Sequence, residues 1–155
     1  MPEGVGIGFD VHARDPSRSL VLGGVRFEDE PGLVAHSDGD VVCHAVADAL
    51  LGAAALGDVG DHFPDDDPAT AGIAGTALLE RTVALLGAAG RRPASVDLTV
   101  VCERPRLGDR RRAMGDRLAE VLELPPERVS VKATRPEGLG LTGDGVGCLA
   151  VALIR

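Results

Sequence analysis

At 155 residues the chain suits one domain, able to bury roughly 70% of its unfolded surface. With three Phe, no Tyr and no Trp, the core has to be filled by Ala, Val and Leu, and platforms for stacking single-stranded nucleic acid are missing. A formal net charge of −8 excludes general affinity for DNA, RNA or anionic membranes, so an anionic substrate must be met locally by metal ions, backbone N–H groups and a few placed cations.

Residues 5–12, VGIGFDVH, alternate Val5, Ile7, Phe9 and Val11 with Gly6, Gly8, Asp10 and His12. A period of two predicts a strand with one buried face, the apolar one. Residues 19–22 and 25–27 flank Gly23-Gly24 and predict a hairpin. From Asp38 to about Leu56, Val42, Val46, Ala49 and Leu50 recur at helical spacing, and Ser37 or Asp38 can cap the helix. Residues 57–69 read as a Gly/Pro/Asp loop, and a second helix follows over about 74–89. A strand is expected at 96–102 and a third helix at about 107–124, stopped by Pro125-Pro126. Arg110, Arg111 and Arg112 on that helix read as a solvated face. Two more strands, 129–134 and 146–154, are joined across a Gly-rich turn at 138–147. Strands and helices mix without strict alternation, which predicts an α+β domain over 1–155, a mixed β-sheet with helices on one face.

Cys43, Cys102 and Cys148 have no metal-ligand spacing, are odd in number and sit in apolar stretches, so they read as buried small hydrophobes in a reducing compartment. The opening MPEGVGIGFD lacks the basic and apolar segments of an export signal, and no apolar run reaches membrane-spanning length. A cytoplasmic location with no membrane partner is expected.

Asp10 and His12 are two apart on a strand and point the same way. A carboxylate and an imidazole suit zinc, whose catalytic sites use three protein ligands and an open position. The chain has only four His, at 12, 36, 44 and 62. His44, on the first helix, is the candidate third ligand, and Asp48 one turn later could orient it. An Asp-x-His pair alone is often without function; here Gly6 and Gly8 on the same face leave room for a ligand or for another backbone. The segment 35–40, AHSDGD, can be a polar helix cap, and it lacks the length and terminal Glu of an EF-hand. In 132–147, KATRPEGLGLTGDGVG, the glycines can aim N–H groups at a phosphate or simply form a hairpin. No GK[ST] follows, so it is not a Walker A loop. Lys132 is the only Lys of the chain, a singularity that composition bias can also explain.

GFDVH, LVAHSDGDVVCHAVADALLGAAALGDVGDHFPDDDP, the CERPRL segment and VSVKAT with LGLTG together resemble the 2-C-methyl-D-erythritol 2,4-cyclodiphosphate synthases of the non-mevalonate isoprenoid pathway. The resemblance runs from about Gly6 to Leu153. It implies a homotrimer with active sites between subunits. It implies zinc on Asp10, His12 and His44, and Mg2+ or Mn2+ at Glu137 with the substrate diphosphate. The implied substrate is a CDP-linked methylerythritol 2-phosphate, cyclised with release of CMP. By the same resemblance His36 stabilises the transition state and lies with Ser37 over the substrate. Asp58, Val59, Gly60 and the 63–67 loop (Phe63, Pro64, Asp65, Asp66, Asp67) hold the methylerythritol. Cys102, Glu103, Arg104, Pro105, Arg106, Leu107, Gly108 and Thr134 sit on the cytidine diphosphate.

The chain departs from the family pattern after Thr134. Arg135 and Pro136 stand where two Thr are usual, ahead of Glu137, and TGDGVG replaces TGRGEG, putting Asp144 and Val146 in place of an Arg and a Glu. Leu141 stands where Phe is common. Arg135 is therefore the candidate to take over a Thr's contact with the diphosphate. The same departures would fit a divergent paralogue using another nucleotide diphosphate, or a metal- or ligand-binding trimer without turnover.

Overall fold

The computed structural model describes residues 2–140 and 142–155. In chain order the elements are β1 (Gly4–His12), β2 (Arg14–Leu22), β3 (Val25–Leu33), α1 (Val41–Ala53), α2 (Val59–His62), α3 (Gly75–Ala88), β4 (Pro93–Val101), α4 (Arg110–Leu122), β5 (Val129–Thr134) and β6 (Val146–Ile154). Four strands form one sheet in the order β1-β6-β4-β5, with β4 and β5 parallel and the other neighbours antiparallel. The parallel pair needs a crossover, and α4 supplies it. The β2–β3 hairpin stands apart as a two-stranded sheet. This is the expected α+β arrangement of a mixed sheet with helices on one face. Among the described residues no helix is long and apolar enough to cross a membrane.

The alternation in β1 is present, but its faces are reversed. Val5, Ile7, Phe9 and Val11 are 69, 67, 49 and 42% exposed, whereas Gly6 and Gly8 are buried. The cause is α1. A Cβ on Gly4, Gly6 or Gly8 would collide with the carbonyl oxygens of Ala53, Ala49 and Ala45 respectively. Two strand residues rise about 6.6 Å and four helix residues about 6.0 Å, so the glycine and alanine rows stay in step along the contact. The glycines serve another backbone. The open face continues into β6 through Leu149 and Val151 and turns polar on β4 and β5, where Lys132 pairs with Asp97 at 2.8 Å.

Helix α1 begins later than the periodicity predicts, and its cap is neither Ser37 nor Asp38. Asp40, fully buried, accepts from Cys43 N at 3.1 Å and from Gly23 N and Gly24 N of the hairpin at 2.9 and 2.7 Å. Burial pushes its carboxyl up, and the three N–H donors oppose that shift. Asp38 instead accepts from Gly75 N at the start of α3. Three segments are thereby tied to the front of α1. Helix α4 starts at Arg110 rather than 107, and its end is set by Glu123 in the left-handed region, just ahead of the two prolines. The 57–69 segment is not loop throughout: Asp58 caps the single turn of α2. All three cysteines are free and buried, as expected of small hydrophobes, and burial pushes the thiols of Cys43 and Cys148 well up.

Candidate active site

Because the even-numbered face of β1 lies on α1, its last two members, Asp10 and His12, emerge beside the first turns of that helix. His44 meets them there. Asp10 Oδ2 lies 2.8 Å from His12 Nε2 and 3.1 Å from His44 Nδ1. One donor atom from each residue falls within 4.8 Å of the others, the only such cluster among the described residues. The side chains are 24, 24 and 11% exposed, so the group faces solvent through a restricted opening.

Burial would raise the Asp10 carboxyl, but hydrogen bonds from His12 and His44 outweigh it and hold the group at about 2. The same bond to Asp10 raises His12 above its ordinary value against the effect of burial. One carboxylate oxygen and two imidazole nitrogens converging on a point match the donor preference of zinc, and a divalent cation there would take over the place of the protons.

The second nitrogen of His44 does not go to Asp48. Nε2 bonds Ser37 Oγ at 2.9 Å, and Oγ also accepts from Gly39 N at 3.1 Å. Asp48 accepts instead from Val59 N at 2.8 Å and so anchors the start of α2. Ser37 thus orients the His44 ring, the task expected of Asp48. His36, one residue earlier, is fixed through Nε2 to Asp67 O at 2.9 Å.

These residues open into a cavity of about 600 Å³ lined by Asp10, His12, His36, Ser37, His44, Asp48, Asp58, Val59, Gly60, Phe63 and Asp65, with Val34, Ala35, Thr70, Ile73 and Leu78. Pro64, Asp66 and Asp67 lie in the adjoining loop outside that lining, Asp67 serving through its carbonyl. A second cavity of about 380 Å³ is lined by Cys102, Glu103, Pro105, Arg106, Leu107, Gly108, Thr134, Arg135 and Glu137, together with Ala133 and Arg111. Among the described residues none lines both cavities, so Glu137 stands apart from the histidine cluster. Arg104 and Asp144 line a neighbouring hollow with Arg14, Glu30 and Glu103. Pro136 is buried, and Leu141 lies outside the described residues.

Sequence reasoning missed four residues that line or brace this region. Arg111 lines the second one. Asp40 joins hairpin to helix. Arg18 reaches backbone carbonyls of the first cavity's wall, and Arg14 those around the neighbouring hollow. Nothing in a single sequence separates such arginines from solvated charge.

The YgbB family matches residues 4–155. The chain belongs to that family. It is 52% identical to the 2-C-methyl-D-erythritol 2,4-cyclodiphosphate synthase of Symbiobacterium thermophilum over 152 residues, 97% of each chain. It is 51% identical to the bifunctional enzyme IspD/IspF of Erythrobacter litoralis, covering 98% of this chain but 39% of that one. The chain thus spans about two-fifths of the length of such bifunctional relatives. A solved 2C-methyl-D-erythritol-2,4-cyclodiphosphate synthase in its CDP-bound form superposes with a TM-score of 0.90 at 36% identity, covering 97% of this chain and 99% of that one. The relatives named here are enzymes by name, a synthase and a bifunctional enzyme.

Proposed function

We propose that the protein is a cytoplasmic 2-C-methyl-D-erythritol 2,4-cyclodiphosphate synthase. An oxygen of the 2-phosphate of CDP-methylerythritol 2-phosphate forms a bond to the β-phosphorus. The bond from that phosphorus to the bridging oxygen breaks, and CMP leaves with the electron pair. The observation that carries this reading is the Asp10–His12–His44 cluster at the wall of a cavity also lined by His36 and Ser37, in a chain half identical to named synthases along nearly its whole length.

No protein nucleophile is required, so catalysis rests on positioning and on neutralising phosphate charge. Asp10, His12 and His44 would hold zinc, and Glu137 would offer a carboxylate to Mg2+ or Mn2+, ions that supply Lewis-acid polarisation of phosphoryl oxygens and charge neutralisation when bound. His36, fixed by Asp67, stands over the reacting phosphates. Asp58, Gly60 and the 63–67 loop accept the methylerythritol hydroxyls. Residues 102–108 and Thr134 hold the cytidine diphosphate, with Arg135 on its phosphates.

The separation of the two cavities supports an active site completed by a second copy of the chain, the metal half from one and the nucleotide half from the next. The apolar open face of β1 and β6 supports the same reading, since an exposed sheet face of Val, Ile, Phe and Leu calls for a cover. A homotrimer closed about that face supplies it. The function is tested by incubating purified protein with CDP-methylerythritol 2-phosphate and divalent metal. CMP and the cyclic diphosphate should appear in equal amounts. CMP without the cyclic product would mean hydrolysis, and the absence of both products would refute the assignment.

A further inference from the structure

Strand β2 carries two arginines whose guanidinium groups bond only to backbone carbonyls outside their own strand. Arg18 donates from Nη1 to Ala35 O at 2.8 Å and from Nη2 to Ser37 O. These carbonyls bracket His36, whose own carbonyl accepts from Gly72 N at 2.8 Å. All three carbonyls of 35–37 are therefore engaged, in a segment with no regular secondary structure to hold it. Arg14 lies in the hollow beside the other cavity. It donates from Nη1 to Pro31 O at 3.1 Å, from Nε to Asp144 O at 3.3 Å and from Nη2 to Arg104 O. It thus joins β3, the Gly-rich turn and the 102–108 loop. Glu103 Oε1 adds a second tie by accepting from Gly138 N at 3.0 Å.

Arginine suits both tasks. Its planar group keeps five N–H donors in a fixed fork, so one side chain can fix several acceptors at once. Carbonyls in irregular segments otherwise turn to water. The strand is irregular where it carries this pair. Its register with β3 shifts between Asp15 and Ser19, and Asp15 accepts from both the N–H and the hydroxyl of Ser17. A bulged strand bends and re-aims its side chains, which lets residues four apart serve different loops.

We propose that Arg18 and Arg14 are positioning residues, one for each half of the active site: Arg18 sets His36 and Ser37 on the metal side, and Arg14 sets the nucleotide loops. The pair rests on the function proposed above for its kinetic consequences and on the geometry alone for its mechanical ones. If active sites form between copies, the two arginines of one strand serve two different sites.

The test is a double dissociation in the full chain, with Arg14→Ala and Arg18→Ala, and Arg14→Lys and Arg18→Lys as milder variants that keep the charge. Amide hydrogen exchange reads the clamps without any ligand. Arg14→Ala should speed exchange at Gly138 and Gly145 by about tenfold and leave Asp38 and Gly39 unchanged; Arg18→Ala should do the reverse. Kinetically, Arg14→Ala should raise the Kd for CDP and the KM by about tenfold with kcat nearly kept, whereas Arg18→Ala should lower kcat by about tenfold with the Kd for CDP kept. The lysine variants should shift the same parameters by smaller factors. Exchange unchanged at the named amides, or one kinetic pattern shared by both variants, would overturn the proposal. If wild-type protein failed to bind CDP, the nucleotide assignment would fall, while exchange would still decide the clamps.

Discussion

Gly6 rests on the Ala49 carbonyl of α1 so closely that a Cβ on it would penetrate the oxygen. That contact sets the distance between β1 and α1, and with it the distance from Asp10 and His12 to His44. Gly6→Ala should force the helix away. Overpacking of this kind costs about 2–3 kcal/mol. Denaturant unfolding should show that loss, and metal bound per chain should fall with it. A variant as stable as wild type with full metal content would show that the close approach is not needed.

Ser37, rather than Asp48, is bonded to the second nitrogen of His44. Partners of this kind fix a ligand's tautomer and ring orientation, and losing one weakens metal affinity by about 10–100-fold. Ser37→Ala should show that loss in a metal titration. Asp48→Asn should leave affinity within about twofold, because its contact lies with α2. The opposite ranking would restore the reading suggested by spacing on the helix.

Metal affinity should follow the titration of His12, which its bond to Asp10 raises above 6.5. In the metal-free protein the raised imidazole stabilises the fold fully below 6.5, and that contribution is lost as pH rises through the raised value. The depressed Asp10 carboxyl contributes above 3.8, and that part is lost as pH falls toward about 2. The pair is thus most stabilising between 3.8 and 6.5. A metal must displace the His12 proton, so affinity should climb with pH to a midpoint above 6.5. A midpoint at or below that value would mean that His12 is not held by Asp10.

Arg135 lines the second cavity beside Thr134 and Glu137. Pro136, buried, fixes its own φ and biases Arg135 toward extended backbone. If the guanidinium contacts the diphosphate, Arg135→Ala loses a charged hydrogen bond of about 3 kcal/mol, or about 10² in kcat/KM. Arg135→Thr should recover part of it. Near-wild-type kinetics for Arg135→Ala would place the side chain in solvent.

Much of this architecture was legible in the sequence. The spans of β5 and β6 follow from their apolar runs, and the shared face of Asp10 and His12 from the strand period, whereas the family resemblance singles out His44 among the four histidines. What periodicity does not carry is which side of a strand faces inward. In β1 both faces are covered by rules other than burial of the larger side chain: Gly6 and Gly8 take a helix backbone, and Val5 and Ile7 stay open. Capping was misplaced because Ser37, Asp38 and Asp40 are all competent caps, and only tertiary contacts with Gly23, Gly24 and Gly75 assign their tasks. Arg14 and Arg18 were illegible because their acceptors are carbonyls, which every residue has.

The central claim, that the metal half of one chain works with the nucleotide half of another, is tested most directly by mixing two inactive variants. His12→Ala disables the first half, and Glu137→Ala the second. After joint unfolding and refolding at equal amounts, a site is intact when its metal half comes from the second variant and its nucleotide half from the first. In a closed trimer this gives about one quarter of wild-type CMP release. Activity near that level is the predicted result. Mixed trimers confirmed by mass but no more active than either variant alone would contradict the claim.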